Sequence, residues 1–340
     1  MSNKGFYFKE DRTEKFSFVE LGFIGEEHSH SIKVAVEKGN NLFSYVIDGN
    51  ETIFYDPSLP LDSFVAGTPL LFPFPNRIED SMWSWKGKTY LHKKNGVPIQ
   101  LHSMIYDENS FEYETPVERE DSITLKTFIA VDESHPIYKG YPFTFRLIFN
   151  FILTKKGLDI EYILENLSGE EMPYGLGYHP YFTKLSGDKG TKITVPCRYH
   201  YEIRTDADKE FLNKIPGGFA MVNNILPSGN LIGAKGTGFD LFPPKSLCAL
   251  DLDAVYTNLD KNPTATIDYT DIGLKLSING SEEFKHYVVY TPPGKEFFCI
   301  EPQTCSTDAI NLYARGVEHV GLLTCKPNEK AKGTVSINYI

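Results

Sequence analysis

The chain is poor in cysteine, has no long apolar run and carries no cluster of positive charge. Its five cysteines, Cys197, Cys248, Cys299, Cys305 and Cys325, are odd in number and show no Cys-x-x-Cys spacing. Such a set suits reduced thiols better than a disulfide framework or a zinc site, and Cys299-x5-Cys305 is too loose to argue for a metal. No stretch approaches the roughly 18 apolar residues of a membrane helix, and the opening MSNKGFYFKEDRTEKF lacks the apolar core of a secretion signal. A soluble, unexported, cytoplasmic protein is the expectation. The net charge of −11 without a polybasic segment argues against nucleic acid and against an anionic membrane surface as partners.

The common chemical signatures are missing as well. There is no GxxxxGK[ST], no GxGxxG after a strand, no GxSxG, no HExxH and no EF-hand loop. Phosphoryl transfer, hydride transfer and zinc hydrolysis lose ground accordingly. Nor does any segment read as an amphipathic helix of about twelve residues or more.

What the chain does have is aromatic and alternating. Aromatic residues make up 14 % of it, with 24 Phe and 20 Tyr. In FTFRLIFNFIL the residues Phe143, Phe145, Leu147, Phe149, Phe151 and Leu153 alternate, and Lys155-Lys156-Gly157 turns into Leu158, Ile160, Tyr162 and Leu164 at the same period. Two period-two runs joined by a short Gly-containing turn predict a long antiparallel hairpin. Similar runs cover Ile32–Val36, Leu42–Ile47, Thr52–Tyr55, Ile123–Val131, Ala265–Tyr269 with Leu274–Ile278, Tyr287–Tyr290 with Phe297–Ile300, and Gly333–Ile340. Pro57, Pro60, Pro69, Pro73 and Pro75 make a rigid connection, since proline cannot donate to a sheet ladder. Residues 1–15 are polar and peripheral. Segment 205–235 is the least regular, with a short helix expected around Lys209–Lys214. With no repeat and no linker, residues 1–340 read as one all-β domain, a large antiparallel sandwich.

Five polar constellations stand out against the strands. Phe72-Pro73-Phe74-Pro75-Asn76-Arg77 sets an Asn and an Arg on a stiffened backbone; Arg77 either binds adjacent hydroxyls or pairs with Glu79 or Asp80. Gln100-Leu101-His102-Ser103 holds a lone histidine, of a kind that is often structural. Gly175-Leu176-Gly177-Tyr178-His179-Pro180-Tyr181-Phe182 places His179 among aromatics, where burial favours neutral imidazole. Asp251-Leu252-Asp253-Ala254-Val255-Tyr256 reads as a strand with two carboxylates on one face, Asp251 suiting a solvated edge. Finally, Phe297-Phe298-Cys299-Ile300 runs into Glu301, and Pro302 stops it. A strand ending at Glu301 puts that carboxylate where core meets solvent, either as a base of raised pKa or as half of an ion pair with a nearby Lys or Arg.

In their order and separation, PFPNRI at 73–78, the His at 102, GLGYHPYF at 175–182, DAVY at 253–256 and EPQTCSTDAIN at 301–311 resemble the aldose 1-epimerase (galactose mutarotase) family. The resemblance covers nearly the whole chain. It implies a galactose mutarotase-like supersandwich that interconverts the anomers of a free hexose such as galactose or glucose. By the same resemblance Glu301 is the general base, His179 the general acid and His102 an aid near the ring oxygen. Arg77 and Asp253 would hold sugar hydroxyls, with Asn76 and Gln303 as further hydroxyl contacts. It calls for no metal and no organic cofactor, a monosaccharide as the small-molecule partner, and a monomer or homodimer. Ser103 and the acidic run Tyr106-Asp107-Glu108-Asn109 depart from the family's pattern beside His102. Two alternatives share the fold: a hexose-6-phosphate 1-epimerase, which needs a basic cluster, and a non-catalytic sugar-binding or regulatory module, which needs no acid–base pair. A purely structural sandwich would leave Arg77, His102, His179, Asp253 and Glu301 far apart.

Overall fold

In a computed structural model, residues 4–61, 66–102, 104–204, 226–259 and 263–340 are described. The expected hairpin forms between Phe145–Thr154 and Gly157–Asn166, closed by the Thr154↔Gly157 pair. Leu147, Phe149, Phe151 and Leu153 are fully buried, because period-two alternation sends every second side chain to one face of the pleat. Phe143 precedes the strand but is buried with them.

Ser122–Val131 joins that hairpin on one side and Lys330–Tyr339 on the other, as part of a ten-stranded antiparallel sheet. An eight-stranded sheet runs in the order Pro227–Gly233, Tyr199–Ile203, Asp253–Thr257, His286–Tyr290, Phe297–Gln303, Gly177–Tyr178 and Leu70–Leu71. Tyr181–Thr183 also pairs with Phe297–Gln303. A five-stranded meander, Gly5–Arg12 to Asn50–Glu51, makes the third large sheet. One apolar cluster takes side chains from all three, including Leu21, Phe149 and Ile300. Phe72 bridges two sheets by packing 5.2 Å from Phe145 between ring centroids. The two α-helices among the described residues have four and six residues, and no described helix is long and apolar enough to cross a membrane.

Several boundaries differ from the sequence expectation, each for a physical reason. Residues 5–12 form an edge strand; its outer face meets water, so it needs no apolar alternation. Thr52–Tyr55 is reduced to an isolated bridge, Ile53↔Phe182, after the two-residue strand Asn50–Glu51. Part of the irregular 205–235 segment is the strand Pro227–Gly233, while the helix expected at Lys209–Lys214 lies outside the described residues. The aspartate strand begins at Asp253, leaving Asp251 exposed before it. Most important, the carboxylate strand does not end at Glu301. It runs through Pro302 to Gln303. Pro302 falls between the pairs Gly177↔Gln303 and Tyr181↔Cys299, where the ladder on that side is interrupted, so its missing N–H breaks no continuous ladder.

Candidate active site

Alternation along the eight-stranded sheet decides which residues face the site. Phe298 and Ile300, Tyr287 and Val289, and Ala254 and Tyr256 enter the main core. Their neighbours in sequence therefore project from the opposite face: Cys299, Glu301 and Gln303 on one strand, Asp253 and Val255 on another. Phe297, Cys299 and Tyr181 form a small apolar cluster on that face. The site grows from its edge.

Glu301 is 1 % exposed, with Gln303 Nε2 donating to its Oε2 at 2.9 Å. Its Oε1 lies 3.3 Å from His179 Nε2. His179 sits in the break between two short strands, where its backbone N–H donates to Pro69 O. Tyr181 stacks on its ring at 4.6 Å and 11°. Gly177 is needed close by, because a Cβ there would stand 2.9 Å from Gln303 Cγ.

His102 approaches from another loop, its ring edge-on to His179 with centroids 4.9 Å apart. Two loops are zipped together here: His102 N donates to Asn76 O at 2.7 Å and Ile78 N to Gln100 O at 3.0 Å. Asn76 and His102 both hold left-handed backbone, φ +64° and +58°, an uncommon conformation outside glycine. Arg77, on the same loop, is 8 % exposed; Nη1 donates to Asn76 Oδ1 at 2.7 Å, and Nη2 lies 3.7 Å from Asp253 Oδ2. Arg77 does not pair with Glu79, which binds Arg204 and Arg315 instead. The acidic run after His102 is held by Lys94, whose Nζ is 2.7 Å from Asp107 and 3.0 Å from Glu108. Ser103 lies outside the described residues.

The fold thus gathers Arg77, His102, His179, Asp253 and Glu301 into one cluster. Asn76 and Gln303 join it through contacts with Arg77 and Glu301. Asn76 turns its Oδ1 to Arg77, and Gln303 is fully buried with its amide on Glu301. Tyr181 and Cys299 were not singled out from sequence; their only signal was period-two placement beside His179 and Glu301. His179 Nδ1, Arg77 Nε and Gln303 Oε1 are buried without a hydrogen-bond partner among the described residues. Buried polar atoms of this kind suit a polyhydroxylated ligand. Arg77, Asn76 and Asp253 also border a cavity of ≈ 150 Å³ walled by residues such as Phe239, Ile232 and Val255.

Burial dominates the electrostatics. It pushes the Glu301 carboxyl well above its usual range, reinforced by Asp253 and opposed by Gln303 and Arg77. It lowers His179 to about 3, with Arg77 adding to the effect. His102 falls well below the ordinary histidine value through burial, His179 and Arg77, while Asp253 rises through burial against the pull of Arg77. Both members of the His179–Glu301 contact therefore favour their neutral forms, so one proton shared between them avoids a net buried charge. For metal binding, the donor atoms of His179, Cys299 and Glu301 lie within 4.8 Å of one another, a grouping that sequence spacing did not reveal.

The family model described as Aldose 1-epimerase matches residues 27–338. The chain belongs to the aldose 1-epimerase family. Among solved structures, a galactose mutarotase-like protein from Clostridium acetobutylicum superposes with a TM-score of 0.82 at 21 % identity, covering 99 % of each chain. A galactose 1-epimerase from Lactobacillus acidophilus NCFM gives 0.70 at 16 % identity, again over 99 % of each chain. The uncharacterized Escherichia coli K12 protein YihR is 23 % identical over 265 residues, 76 % of this chain and 75 % of its own length. At these identities the solved structures speak for the aldose 1-epimerase fold, a mostly antiparallel galactose mutarotase-like architecture, and the substrate must be argued from the residues.

Proposed function

We propose that the protein is an aldose 1-epimerase that interconverts the α and β anomers of a free hexose such as galactose or glucose, by acid–base opening and reclosure of the ring. The observation that carries this reading is the 3.3 Å contact between His179 Nε2 and Glu301 Oε1, beside an Arg77–Asp253 pair. A merely sugar-binding face has no use for two groups poised to exchange a proton.

The steps balance with one proton on the pair. Glu301 takes the proton of the C1 hydroxyl as the C1–O5 bond breaks, and O5 takes a proton from His179. That leaves neutral imidazole and neutral carboxylic acid, the forms burial favours. The aldehyde turns about C1–C2, O5 attacks the other face of C1, its proton returns to His179, and Glu301 protonates the new hydroxyl. Arg77 beside Glu301 and Asp253 steadies the carboxylate form before opening. Arg77 and Asp253, charged yet 3.7 Å apart, keep donor and acceptor capacity for adjacent hydroxyls. Each acid or base group contributes roughly 10²–10⁴-fold, with positioning adding more.

Polarimetry of freshly dissolved α-D-galactose and α-D-glucose tests the proposal. The protein should speed the loss of rotation well beyond buffer, and Glu301→Gln should remove about 10²–10⁴-fold of that effect. An undiminished rate in Glu301→Gln sinks the assignment of the base.

A further inference from the structure

Cys299 has no part in the acid–base scheme, yet it stands inside the site. It is fully buried, its thiol is free, and it shares the site face of its strand with Glu301, two residues on. The facing segment brings His179 to the same place, because Tyr181 is in register with Cys299. A buried nitrogen, sulfur and carboxylate oxygen within 4.8 Å of one another form a set with a definite chemical preference.

We propose that His179 Nε2, Cys299 Sγ and Glu301 Oε1 form a binding site for a thiophilic divalent cation of the zinc class, and that its occupation switches off anomerisation. Only the second half rests on the epimerase reading; the binding itself does not.

Zinc takes Cys, His and carboxylate ligands at about 2.0–2.3 Å, which separates tetrahedral ligand atoms by about 3.3–3.7 Å. The His179–Glu301 contact, 3.3 Å, already meets that spacing. With all three atoms within 4.8 Å of one another, the sulfur stands at most roughly 1 Å outside that spacing, within reach of a side-chain adjustment. Three protein ligands leave a fourth position for water, the usual arrangement of an exchangeable site. The outer contacts suit the role: Gln303 holds Glu301 Oε2 and leaves Oε1 free to turn to a metal, while Tyr181 stacking fixes the imidazole plane. Charge balances too. A thiolate and a carboxylate neutralise a divalent ion, so a buried site gains no net charge. On binding, the thiol proton and the proton shared by His179 and Glu301 leave for solvent, and three metal–ligand bonds form. The metal and an aldose then compete for the same two groups.

Cadmium serves as the probe, because cadmium–thiolate bonds give a charge-transfer absorption in the ultraviolet. Titrating the reduced, full-length protein with Cd²⁺ should give a saturable band at one equivalent. That band should persist in Cys248→Ser, which removes the exposed thiol, and vanish in Cys299→Ser. Excess galactose should displace it, and Zn²⁺ should slow anomerisation by about tenfold or more, competitively with sugar and reversibly by chelator. Should Cys299→Ser fail to fold, displacement by sugar in the unmodified protein still separates this site from a surface thiol. No band, or one that survives Cys299→Ser or is lost with Cys248→Ser, overturns the site even if anomerisation is fast. A band with no anomerisation of any aldose upholds the site and defeats the epimerase reading.

Discussion

Replacing Gln303 by methionine separates two roles for one side chain. The family resemblance makes Gln303 a contact to a sugar hydroxyl. In the structure its Nε2 instead donates to Glu301 Oε2 at 2.9 Å, and the residue is fully buried. Gln303→Met keeps length and volume but removes the donor. A hydrogen bond to a charged group contributes about 1.5–3 kcal/mol, and if this one acts on the ionised base during ring opening, its loss lowers kcat by roughly 10- to 150-fold. The sign of the pH effect follows from the same contact. Gln303 lowers the Glu301 pKa against burial, so removing it raises that pKa further. The active pair must hold one proton, and activity is lost where rising pH strips it, so the alkaline limb moves to higher pH in the variant.

The assay is initial-rate polarimetry with α-D-galactose across pH, reported separately as kcat and KM. A fall in kcat with KM nearly unchanged, and an alkaline limb displaced upward, is the expected outcome. A raised KM with kcat and the limb unmoved would instead make Gln303 a contact to the sugar.

The acid limb should be low: the second proton goes onto His179, which burial and Arg77 press down to about 3, so kcat/KM holds as pH falls to 4.5 and is lost only below that. A limb near 6 in the same profiles would show His179 titrating as an ordinary histidine. Arg77→Lys should raise KM by about tenfold with a smaller change in kcat, because an ammonium cannot address Asn76 and Asp253 as a planar fork does. Phe149→Ala, beneath the site and fully buried against Tyr178, should cost about 3–5 kcal/mol in urea unfolding while the folded fraction keeps its kcat.

Alternation made the sheets legible wherever one face is wet and the other dry. Leu147, Phe149, Phe151 and Leu153 are buried as their spacing required, and their partner strand follows the same rule from Leu158 to Leu164. Alternation is lost where burial is two-sided or absent. Residues 5–12 pair along an exposed edge and mix Phe and Tyr with charges in no clean order. At Pro302 a local rule, that proline ends strands, lost to a long-range fact, the interruption in the neighbouring strand. The identities of the clustered site residues came from motif resemblance, but their contacts did not, since contact between residues 179 and 301 depends on strand order.

That strand order also explains why so many unpartnered polar atoms collect at one spot. The eight-stranded sheet buries both of its faces around Phe297–Gln303, so Glu301 and Gln303 on its non-core face are enclosed without being apolar, next to the small apolar cluster of Phe297 and Cys299. Burying polar groups is costly unless they are satisfied. Glu301 meets the cost by taking Gln303 and His179 as partners, yet His179 Nδ1, Arg77 Nε and Gln303 Oε1 stay without one among the described residues. A fold selected for stability alone would place apolar side chains there and gain from it, as it does on the core face of the same strand at Phe298 and Ile300. The two faces of one seven-residue strand thus answer to different demands. On one, packing decides the residue; on the other, Glu301 and Gln303 exchange apolar burial for a hydrogen bond to each other.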